Sequence, residues 1–180
     1  MKMTDDWDAR IGAAWADAAL TDDERIRAIE RLAAERPAGD ARALFERAGS
    51  FDSAGREAEA EPLYRAALDA GLDDEFRPQA VIQLASTIRN LGKVDESLAL
   101  LRSEYERRDR DGMRDAAAAF YALALSSAGQ ERRALAVALD ALAPHLPRYT
   151  RSVTGYAVEL VHAPSRMPTA NNDEGAGTRR

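Results

Sequence analysis

Phe51-Asp-Ser-Ala-Gly55, Ile88-Arg-Asn-Leu-Gly92 and Leu125-Ser-Ser-Ala-Gly129 share one pattern, an apolar residue four places before a glycine. The glycines at 55, 92 and 129 are evenly spaced, 37 residues apart. Two equal intervals mark an internal repeat. The alignment holds on both sides of the glycine. Before it stand Leu44, Val81 and Ala118, then the small residues Ala48, Ala85 and Ala122. After it stand Ala60, Ser97 and Ala134, then Leu63, Leu100 and Val137, then Leu68, Tyr105 and Leu142.

These offsets have a physical meaning. Apolar positions stepping by four and three before each glycine define one helix face, and those after it define a second. The glycine falls where the first helix ends, in a tight turn that favours positive φ. The small residue lets two helices approach closely. Each repeat is therefore expected to be a helix–turn–helix hairpin, too small to bury its apolar face without stacking on neighbours.

The flanks show helical patterns too. Trp7, Ile11, Trp15 and Ala18 follow one face, and the two Trp are expected to pack against the second helix, with an aromatic self-association patch as the alternative. Thr21-Asp-Asp-Glu24 has the form of a capping box before Ile26, Ile29 and Leu32. Pro37-Ala-Gly39-Asp40 is a break, with Asp40 the N-cap of the next helix. Asp73-Asp74-Glu75 and Asp111 are placed at later helix starts. After Pro147, the residues Tyr149, Val153, Tyr156, Ala157, Leu160 and Val161 form an apolar stripe expected to cap the stack. From Ala163 the composition, rich in Pro, Asn and Gly, predicts a disordered tail. The expected division is 1–39, a helix pair packed on the repeats; 40–147, three repeats; 148–162, a capping helix; and 163–180, the tail.

Composition narrows the function classes. The chain has 180 residues, 46% of them hydrophobic and 31% charged, with a net charge of −6. An acidic balance with no basic stripe in the helices argues against nucleic acid. Lys2 and Lys93 are the two lysines, so 23 of the 25 basic residues are Arg, expected in surface pairs with the many Asp and Glu. There is no cysteine, which excludes disulfides and thiol chemistry. The start of the chain has no apolar segment of signal-peptide type. With no long apolar run to cross a membrane, a cytoplasmic location is expected.

No catalytic or metal-binding constellation stands out. Glu159 and His162 have the i, i+3 spacing of helical di-metal sites, but no second Glu-x-x-His accompanies them. His145 lies between Pro144 and Pro147, in a turn. Asp109-Arg-Asp111-Gly112 lacks the remaining ligands of a calcium loop. No phosphate loop, nucleophile elbow or zincin motif occurs. No enzyme activity, cofactor or metal is expected.

The pattern of small residue, apolar residue, Gly, Ala, Tyr and Ala-Leu resembles the tetratricopeptide-repeat (TPR) family. Ala48, Phe51, Gly55, Ala60, Tyr64 and Ala67-Leu68 carry it most fully; Leu84-Ala85, Ile88, Gly92 and Leu98, then Ala122, Leu125, Gly129, Ala134-Leu135 and Ala141-Leu142, repeat it. The 37-residue period is similar to that of a bacterial subgroup. The departures are a missing Trp in each first helix and Glu104 at the position of Ala67 and Ala141. The resemblance implies an all-α, right-handed solenoid of about three hairpins plus flanking helices, which binds a protein or peptide in its concave groove.

By the same resemblance, groove residues fall at Arg42, Phe45, Gly49, Asp52 and Ser53; at Gln79, Ile82, Ser86, Arg89 and Asn90; and at Ala116, Ala119, Leu123, Ser126 and Ser127. Phe45, Ile82, Ala119 and Leu123 would supply apolar contact, and Arg89 with Asn90 would hold a peptide carboxylate or backbone. The family's clamp for chaperone tails is not reproduced, because Phe45, Gly49, Ala116 and Phe120 stand at its polar and basic positions. A self-associating scaffold, with groove or terminal helices buried by a second copy or by the tail, is the alternative.

Overall fold

The computed structural model describes residues 3–107 and 112–162. The expected tail, Asp111 and most of the Asp109–Gly112 segment lie outside the described residues. Nine α-helices in hairpin succession make up the described chain: α1 (Met3–Ala16), α2 (Asp22–Ala33), α3 (Ala41–Ser53), α4 (Glu57–Asp69), α5 (Arg77–Asn90), α6 (Val94–Glu106), α7 (Arg114–Ser127), α8 (Glu131–Leu142) and α9 (Thr150–His162). A short 3-10 turn, Ala143–His145, precedes α9. The all-α helical solenoid expected from the repeat is the fold observed. No helix among the described residues is long and apolar enough to cross a membrane.

The repeat is visible atom by atom in the hairpin turns. Gly55, Gly92 and Gly129 have φ of 69°, 83° and 70°. Behind each, the next N–H reaches back to the carbonyl five residues earlier: Arg56 to Phe51 at 2.9 Å, Lys93 to Ile88 at 2.8 Å and Gln130 to Leu125 at 2.9 Å. This is the Schellman closure, which satisfies carbonyls that the helix end leaves open. The expected N-terminal signals also act locally. Thr21 and Glu24 form a reciprocal capping box at α2, and the Asp40 carboxylate accepts from Ala43 N at 2.9 Å. Asp73 instead caps a turn just ahead of α5, accepting from the N–H groups of Glu75 and Phe76.

Packing follows the stacking rule. Each second helix lies between its own first helix and the first helix of the next hairpin, so α2 meets α3, α4 meets α5, α6 meets α7 and α8 meets α9. Ala48, Ala85 and Ala122 are buried at these crossings. So are Ala60, Ser97 and Ala134 opposite them, and the Ser97 hydroxyl donates to Ala85 O at 2.6 Å. Glu104 keeps the register of Ala67: it is buried, with Arg77 Nη1 3.2 Å from its carboxylate. The surface carries the expected Arg–carboxylate pairs, among them Arg65 with Glu61 and Glu96.

Of the two flanking expectations, one is met in part and the other needs correction. Trp7 packs as expected, buried with Nε1 donating to Leu32 O of α2 at 2.8 Å. Trp15 packs against the cluster that includes Ile29 and Ala33 of α2 but is only half-buried, and its Nε1 donates to Glu46 of α3. In α9 the inward residues are Ala157, with Val153 and Leu160 half-buried, whereas Tyr149, Tyr156 and Val161 are exposed. The stripe drawn through all six spans two faces of the helix.

Candidate concave groove

The first helices α3 and α5 lie side by side, as do α5 and α7, and α1 extends the row at the N-terminal end. A cavity of about 520 Å³ opens on this row, lined from α1, α3 and α5 together with Glu57, Tyr64 and Phe76. All five groove residues expected on α3 line it: Arg42, Phe45, Gly49, Asp52 and Ser53. Gln79 and Asn90 line it from α5.

The other expected residues sit elsewhere. Ala119, Leu123 and Ser126 are exposed on α7, with Leu123 48% exposed. Ser86 and Arg89 are half-buried, and Arg89 Nη2 donates to Asn90 Oδ1 at 3.1 Å. Ile82 is a correction. At 3% exposed it packs among Ala85, Leu101, Ala117 and Tyr121, so it is a core residue of the free chain. Phe45 is also buried, in the core around Tyr64, but one edge reaches the cavity.

The wall contains residues the sequence reading did not assign to it. Asp8, Ile11, Gly12 and Trp15 come from α1, and Glu46, Gln83, Glu57, Tyr64 and Phe76 complete it. The same period could have found three of them. Asp8, Gly12 and Trp15 stand 37 residues before Phe45, Gly49 and Asp52. The α1–α2 pair thus continues the row of hairpins, although Ala18 occupies the turn where a glycine would stand.

The electrostatics are uneven. The Arg42 guanidinium lies 3.6 Å from the centre of the Phe76 ring. Its Nη1 is 2.7 Å from Glu46 Oε1 and 3.7 Å from Asp8 Oδ1. Burial pushes the Glu46 carboxyl above the usual glutamate range, against the pull of Arg42 and Trp15. Asp52 is held differently. Its two oxygens accept from Thr87 Oγ1 at 3.0 Å and Tyr64 Oη at 3.2 Å. Burial raises its pKa, and the two hydroxyls only partly oppose that. Glu57 accepts from Asn90 Nδ2 at 3.4 Å. At Gly49 a Cβ would stand 3.3 Å from Trp15 Cζ2, so the indole would have to give by a few tenths of an ångström to admit one.

The histidines are remote from this cavity. His145 Nε2 lies 2.9 Å from Asp115 Oδ2 on the surface, and His162 Nδ1 lies 2.8 Å from Val158 O. Among the described residues no group of three or more His, Asp or Glu is placed to hold a metal ion. The arrangement is suited to holding a ligand by shape, hydrogen bonds and charge.

The family model of the tetratrico peptide repeat matches residues 41–160, from the start of α3 into α9. No curated protein matches the chain.

Proposed function

We propose, for a chain that belongs to the tetratricopeptide-repeat family, a non-catalytic role as a cytoplasmic scaffold that holds a protein or peptide segment along its concave groove. Repeats of this family generally mediate protein interactions, but a fold alone does not assign a partner. The observation that carries the reading is the cavity at the head of the groove, where all five residues chosen on α3 converge. In this reading the helix pair within residues 1–39 forms part of the groove. The partner would run from this cavity, past Arg89 and Asn90, to the exposed Ala119 and Leu123 on α7.

The test is selection of random dodecapeptides displayed on phage against the immobilised protein. Peptides that bind the native chain should lose binding to Leu123→Asp, because Leu123 is exposed and its replacement leaves the core untouched. Failure to retain any peptide, or retention indifferent to Leu123→Asp and to changes in the cavity wall, would remove the groove as the binding surface.

A second reading, self-association, rests on a different surface. Leu135 and Leu142 on α8, with Tyr149 and with Tyr156 and Val161 on α9, are large apolar side chains left exposed at the C-terminal end of the stack. Large apolar side chains left exposed on two neighbouring helices are candidates for such a contact. Molecular mass in solution separates the two readings.

A further inference from the structure

Four carboxylates line the head cavity, from Asp8, Glu46, Asp52 and Glu57, against the single guanidinium of Arg42. The charge of that cation is offset within the wall, although its Nε and Nη1 are buried without a hydrogen bond. It pairs with Glu46 and Asp8 and stacks on Phe76. Asp52 and Glu57 are left with neutral partners among the described residues: the hydroxyls of Tyr64 and Thr87, and the amide of Asn90. Gln83, in the same wall, has a side-chain oxygen sealed from solvent that accepts no hydrogen bond. Trp15, Phe45, Tyr64 and Phe76 complete the lining with aromatic surface.

We infer that the head of the groove takes a cationic side chain, an Arg or Lys of the bound peptide, between Asp52, Glu57 and the aromatic wall. The inference rests on the proposed function and adds the partner's chemistry and its direction. Charge complementarity selects the sign of the occupant. An anion would meet four carboxylates against one guanidinium whose charge Glu46 and Asp8 already offset. A purely apolar side chain would cover both carboxylates without pairing them, which is unfavourable. A guanidinium or ammonium satisfies the carboxylates and gains from the aromatic faces, as Arg42 already does on Phe76. A volume of about 520 Å³ falls within the roughly 300–1,000 Å³ of typical ligand pockets. A donor entering there and turning the Gln83 amide would meet an acceptor that has no other use. The partner is thus expected to present a basic residue at the α1–α3–α5 end and apolar residues toward Leu123 on α7.

The test uses the full chain and the dodecapeptides selected on it. Asp52→Asn and Glu57→Gln remove charge while keeping shape. The amide introduced by Asp52→Asn can still accept from Tyr64 and donate to Thr87, whose own proton can go to Gln83 O, 2.9 Å away. Thermal unfolding checks that each variant is folded, and Glu57→Gln alone serves if the double variant is not. The expected result is enrichment of Arg or Lys in the selected peptides. Their affinity should fall at least tenfold in the double variant, and equally when the basic residue is replaced by norleucine. The Trp15 indole resonance should move on binding while that of Trp7, outside the cavity, stays. Selected peptides without a basic residue, or affinity unchanged by the charge-removing variants but lost in Leu123→Asp, would overturn the inference and leave the groove reading standing. If no peptide is retained, both fall.

Discussion

Thr87 on α5 donates its hydroxyl to Asp52 Oδ1 on α3 at 3.0 Å, so a carboxylate joins the first helices of two successive hairpins without a counter-cation among the described residues. Burial raises the Asp52 pKa above its usual 3.8. For a carboxyl raised in the fold, the protonated form is the one the fold favours. Its contribution is fully present below the unfolded value and is lost as pH rises through the folded one. Asp52→Asn should therefore match the native chain in urea stability near pH 3 and exceed it at pH 7. A variant less stable than the native chain at pH 7 would show that attraction, and not burial, governs this carboxylate.

The crossing of α5 and α6 is tight at Ala85, which is fully buried and whose carbonyl accepts from Ser97. Ala85→Leu should overpack it and cost about 1–3 kcal/mol. Arg89→Ala, one turn on and only half-buried, should stay within about 0.5 kcal/mol of the native chain. Chemical denaturation of both variants checks the register. Equal losses would mean that the face assigned to the groove is also core.

Two glycines should respond to alanine with opposite signs. A Cβ on Gly92 meets nothing within 4 Å, so the substitution carries the backbone penalty of φ 83° alone. Gly92→Ala should cost about 1–2 kcal/mol. Gly12 lies inside α1, also with open space for a Cβ. Gly12→Ala should stabilise by about 0.5–1 kcal/mol, because alanine loses less freedom in a helix. Urea midpoints for the two variants measure both signs.

The hairpins were legible because their constraints are local. A turn that needs positive φ calls for Gly55, Gly92 and Gly129, and a close crossing calls for Ala48, Ala85 and Ala122. Caps at Thr21 and Asp40 are likewise written within four residues. On α3 the five positions expected to share one face do sit together in a cavity wall. The match is poorer on α5, where Ile82 packs into the core with Leu101 of α6 and Ala117 and Tyr121 of α7. The role of α1 was hidden by Ala18, which broke the glycine signal although the spacing to Asp8, Gly12 and Trp15 was intact. The placement of Phe76 over Arg42 depends on where the loop before α5 returns, which no local pattern encodes. In α9, two apolar stripes compete, and only packing on α8 shows that Ala157 faces inward.

That packing sets the last prediction. Tyr156 is 61% exposed on a helix whose buried side already meets α8, so its ring contributes little to the fold of one chain. Val161 is exposed on the same helix, with Leu135 and Leu142 on α8. Covering these side chains in a second copy would remove apolar area from water at about 25 cal/mol per Å². Association must also offset the loss of translational and rotational freedom, so the contact is expected to be weak. Light scattering should give 19.6 kDa at low concentration, with an apparent mass that rises as the native chain is concentrated. Tyr156→Ser combined with Val161→Ser should hold the mass at 19.6 kDa throughout while shifting stability by no more than about 0.5 kcal/mol per site. A native mass constant at the monomer value would assign the exposed end no self-complementarity and leave the concave groove as the interaction surface. A rise that persists in the double variant would move self-association to the groove, where Leu123→Asp would then be the variant that abolishes it.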